Sequence, residues 1–125
     1  MLTPVAPRVR LTTTAVAPGQ APSQWRVTWR LTGEAGAIES AWVPHGRFRG
    51  TGRVNFTPAR ALPLRLEMTV QANEPPGTVV ENAFLILRLT DGWRVFVRMR
   101  IEFDSSGVPK PVPELVTLQS TGAAE

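Results

Sequence analysis

From Trp93 to Phe103 the chain alternates without a break: Trp93, Val95, Val97, Met99, Ile101 and Phe103 fall on one side, and Arg94, Phe96, Arg98, Arg100 and Glu102 on the other. A period of two held this long dictates a half-buried strand, because a helix would scatter both sets around its circumference. The pattern recurs at Gln24 to Thr32, where Trp25, Val27, Trp29 and Leu31 alternate with Arg26, Thr28, Arg30 and Thr32. It recurs again at Leu62 to Val70, with Leu62, Leu64, Leu66, Met68 and Val70 opposed to Arg65, Glu67 and Thr69. Weaker strands are expected at Arg8 to Val16, Ala37 to Val43, Arg53 to Thr57 and Glu114 to Ser120. No stretch sustains a 3.6-residue period, and the 10 glycines and 12 prolines supply many short turns.

Val79 to Leu89 is apolar on both faces through Ala83-Phe84-Leu85-Ile86-Leu87, which suits a central strand. Thr90-Asp91-Gly92 then reads as the turn of a hairpin leading into the Trp93 strand. Seven or eight strands within 125 residues predict an all-β, two-sheet antiparallel β-sandwich of immunoglobulin-like architecture, with a small β-barrel as the alternative. One domain is expected over residues 1–125, with 1–7 and 121–125 as flexible ends. The likeness to immunoglobulins stops at architecture, since the chain has no cysteine and no tyrosine from which to build their disulfide and tyrosine corner. Alternate prolines in Pro109-Lys110-Pro111-Val112-Pro113 suit an edge strand, because proline donates no ladder hydrogen bond.

The missing residue types exclude much chemistry. Without cysteine there is no thiol nucleophile, thiolate-bound zinc or iron–sulfur cluster. The single histidine, His45, lies in the turn-like Pro44-His45-Gly46, and no serine occupies a G-x-S-x-G elbow. These features predict a protein that is not an enzyme and takes no cofactor or metal. With no apolar run of signal-peptide or membrane-spanning length, a soluble chain with no membrane partner is expected, cytoplasmic by default.

Two surfaces remain as candidates. A two- or four-residue loop around Asp91-Gly92 would pair Leu89 with Arg94, Leu87 with Phe96, Leu85 with Arg98 and Ala83 with Arg100 on the outer side of the hairpin. Leu85, Leu87, Leu89 and Phe96 beside Arg94, Arg98 and Arg100 would then form an exposed apolar stripe, fit for another protein or a second copy of the chain. A three-residue bulged turn would shift this pairing by one. The alternative is anion or nucleic-acid binding by the loop from residue 45 to 60, through Arg47, Phe48, Arg49, Arg53 and Phe56. Arginine offers a forked donor to phosphate, and phenylalanine could stack on bases. Charge is also unevenly spread: up to Ala61 eight arginines face only Glu34 and Glu39, whereas the remainder of the chain is net acidic.

Overall fold

The structure, a computed structural model, describes residues 8–120; the ends at 1–7 and 121–125, expected to be flexible, lie outside the described residues. Among the described residues ten strands form two antiparallel five-stranded sheets. They are β1 (Arg8–Pro18), β2 (Gln24–Glu34), β3 (Ile38–Trp42), β4 (Pro44–His45), β5 (Phe48–Gly50), β6 (Val54–Arg60), β7 (Leu64–Gln71), β8 (Val79–Leu89), β9 (Trp93–Phe103) and β10 (Pro109–Ser120). The first sheet runs β1-β2-β7-β5-β4 and the second β10-β9-β8-β3-β6. The sheets stack as a sandwich and do not close into a barrel.

Part of the strand order can be laid on the seven-strand sandwich pattern of immunoglobulins, although β10 beside β9 adds a strand to it. β1-β2-β7 follows the order of their A, B and E strands, and β3-β8-β9 that of C, F and G. The segment between β3 and β7 departs from that order. It crosses to the first sheet as β4 and β5 before returning to the second as β6. Sequence reading took β4 and β5 for loop, because Pro44, Gly46 and Gly50 punctuate a stretch too short to show alternation.

The alternating strands point one set of side chains into the space between the sheets. Val27, Trp29 and Leu31 of β2 and Leu64, Leu66, Met68 and Val70 of β7 meet Leu85, Leu87, Val95, Val97, Met99 and Ile101 from the other sheet. Along one side the sheets are joined edge to edge, where the Thr13 hydroxyl of β1 donates to the Pro111 carbonyl of β10 at 2.9 Å. The proline-rich segment lies in β10, an edge strand as expected. Among the described residues no helix is long and apolar enough to cross a membrane.

Candidate functional site: the outer face of the second sheet

The β8–β9 turn uses three residues, so Leu87 pairs with Val95, Ile86 with Phe96, Leu85 with Val97 and Phe84 with Arg98. Gly92 at φ 87° takes the left-handed conformation that such a bulged turn needs, and the Asp91 carboxylate accepts from the Trp93 amide at 3.1 Å. This corrects the two- or four-residue loop and reverses the faces of β8. Leu85, Leu87 and Leu89 lie in the core at 0%, 0% and 2% exposure, not on the outer stripe. A five-residue apolar run has no polar side to fix its register, so turn geometry decided it.

Phe84, Ile86 and Arg88 take the outer positions, beside Arg94, Phe96, Arg98 and Arg100 of β9. Phe84 and Phe96 meet edge to face, with centroids 6.3 Å apart and planes at 80°. Trp42, which sequence reading placed in a strand without assigning it a role, pairs with Ile86 and extends the apolar row across β3. The bulge in β3 between Ile38 and Ser40 turns this residue outward, and alternation gave no sign of it. The Arg53 guanidinium lies 4.0 Å from the Trp42 ring centroid and that of Arg94 lies 5.8 Å away, both within cation–π reach.

Around this row the charges are unevenly balanced, with an arginine excess at one end and equal numbers of cations and carboxylates at the other. Toward the hairpin turn and β3 stand Arg53, Arg88 and Arg94, with Glu39 3.7 Å from Arg88. Toward β10 and the far end lie Glu102, Glu114 and the exposed Glu81, with Arg98, Arg100 and Lys110. Arg100 bonds Glu102 at 2.8 Å and Glu114 at 3.1 Å, and Arg98 lies 3.8 Å from Glu114. The hydrogen bond to Glu102, reinforced by the charges of Glu102, Glu114 and Glu81, raises the Arg100 pKa. Arg94 has no carboxylate partner among the described residues, and its Nε is enclosed without an acceptor.

The alternative site disperses. Phe48 is a core residue with no exposure and cannot stack on a base. Arg47 bonds Glu74, and that bond raises the arginine pKa and lowers the glutamate's. Arg49 reaches Gln71 at 3.1 Å on the first sheet, Arg53 sits on Trp42 of the second, and Phe56 packs against the core from β6. Crossing between sheets separated what the sequence held together. His45 accepts a hydrogen bond from the Arg47 amide at 3.0 Å, a turn contact. Among the described residues no group of three or more His, Cys, Asp or Glu is placed to hold a metal ion. Comparison with protein-family models, with curated proteins and with solved structures finds no match.

Proposed function

We propose that the protein acts by association rather than catalysis, pairing with a second copy of itself through the outer face of the second sheet. The observation that carries this reading is the half-buried Trp42, Phe84 and Phe96, gathered around the nearly covered Ile86 at 9% exposure and ringed by arginines, as in the cores of protein interfaces. A second copy is favoured because the face is self-complementary. A two-fold axis near Phe96 would lay the arginine-rich side of each copy on the charge-balanced side of the other, bringing Arg94 toward Glu81, which forms no ion pair among the described residues, while centre meets centre. The terminal nitrogens of Arg94, which has no carboxylate partner among the described residues, would then meet one from the second copy.

Light scattering provides the test. The expected mass is twice the 13.7 kDa of the chain at micromolar concentration. Phe96→Asp should return it to one chain without unfolding it. Arg94→Glu and Glu81→Arg should each weaken the pair and, mixed together, restore it. A single-chain mass at high micromolar concentration would overturn the proposal.

A further inference from the structure

The outer face of the first sheet is a second, chemically different surface. Regular pairing places Arg8, Arg10 and Thr12 of β1, Arg26, Arg30 and Thr32 of β2, and Arg65 and Thr69 of β7 on that face. Arg49 joins them from β5, opposite Gln71. Among the described residues only Glu34 and Glu67 oppose these six arginines there. Arg30 stands directly across from Arg65, and Arg10 lies on the diagonal from Arg30. Like charges directly opposite in a sheet repel, yet only Arg65 of the three has an ion partner among the described residues, Glu67 at 3.3 Å.

We infer that this face binds the phosphate backbone of double-stranded nucleic acid. The arginines run from Arg8, opposite Glu34, to Arg26, a span of roughly 27 Å at about 3.4 Å per strand residue, so they suit a long, regularly charged partner. Two recesses lie along the run. One of about 300 Å³ is lined by Thr14, Trp29, Arg30, Pro63, Leu64 and Arg65, and one of about 460 Å³ opens at the β1 edge between the sheets, where Arg8, Arg10 and Thr32 stand over Val116 and Leu118 of β10. Guanidinium forks and threonine hydroxyls are donors that fix a protein on phosphates without reading sequence. No aromatic residue stands among the outward positions of this sheet, which disfavours single strands, whose bases need stacking platforms. The exposed large hydrophobics among the described residues, Val79 and Leu115, belong to the second sheet, so this face has nothing to insert into a lipid surface.

Fluorescence anisotropy with a short labelled duplex tests the inference. Binding should be insensitive to sequence and should fall roughly a hundredfold or more between 50 and 200 mM salt. The combined Arg10→Ala, Arg30→Ala and Arg65→Ala variant should flatten the salt slope by about one unit per arginine. Arg60→Ala, at the exposed end of β6 in the second sheet, should change neither slope nor affinity, and melting curves should show every variant folded. No duplex binding at 50 mM salt, an unchanged slope in the triple variant, or retention only on heparin or on anionic vesicles would each overturn the inference. Because the two sheets face opposite ways, this outcome is independent of whether the chain pairs through the second sheet.

Discussion

Single residues show most clearly where chemistry read from type alone goes astray. Phe48 stands between two arginines in a glycine-rich stretch and has the credentials of a base-stacking residue. β5 instead turns it into the core, where it is among the largest fully buried side chains. Phe48→Ala should therefore cost about 3–5 kcal/mol of stability in chemical denaturation, the usual cost of emptying a buried phenylalanine site. A cost below about 1 kcal/mol would remove it from the core. The salt-bridge partner of its neighbour has a pH signature. The Arg47 hydrogen bond lowers the Glu74 pKa below its ordinary value of 4.5. The pair's contribution is complete above that value and is lost only as pH falls through the depressed pKa. Both side chains face solvent, so the contribution is small and screened by salt.

Elements were legible wherever one face was polar. β2, β7 and β9 announce themselves because arginine, threonine and glutamate alternate with large apolar residues, and the structure places those apolar residues inside. β8 was legible as a central strand but not in its facing, since Ala83 to Leu87 offers no polar residue to mark the outside. The deciding feature was one residue in the turn, and Asp-Gly suits two-residue and bulged hairpins alike. Neighbouring positions of β8 now predict opposite outcomes. Leu85→Asp would place an unpaired carboxylate in the closed core and should prevent folding. Phe84→Asp on the outer face should leave a folded chain, with circular dichroism showing sheet and a cooperative melt, while weakening self-association. If the two behaved alike, the observed register would be wrong.

On the scale of the whole molecule, the position of charge in the sequence foretold little until the topology was known. Five of the eight arginines before Ala61 come together on the outer face of the first sheet because β1 and β2 are neighbours there and β5 reaches its other side. With Arg65, and set against Glu34 and Glu67, that face is as positive as the entire chain, whose net charge is +4. Such a concentration opposes folding of the free protein, and the opposition is electrostatic. Screening should therefore relieve it, since the Debye length contracts from about 30 Å at 0.01 M salt to about 3 Å at 1 M. Arg30→Thr exchanges the residue facing Arg65 for one favoured in strands and removes a direct like-charge pair. It should stabilise the free protein by about 0.2–1 kcal/mol at low ionic strength, and most of that gain should vanish at 1 M salt. Denaturant melts of both proteins at the two salt concentrations measure it. A variant less stable than the parent at low salt would mean that Arg30 is held by contacts rather than opposed by Arg65, and would deprive the basic face of its strain.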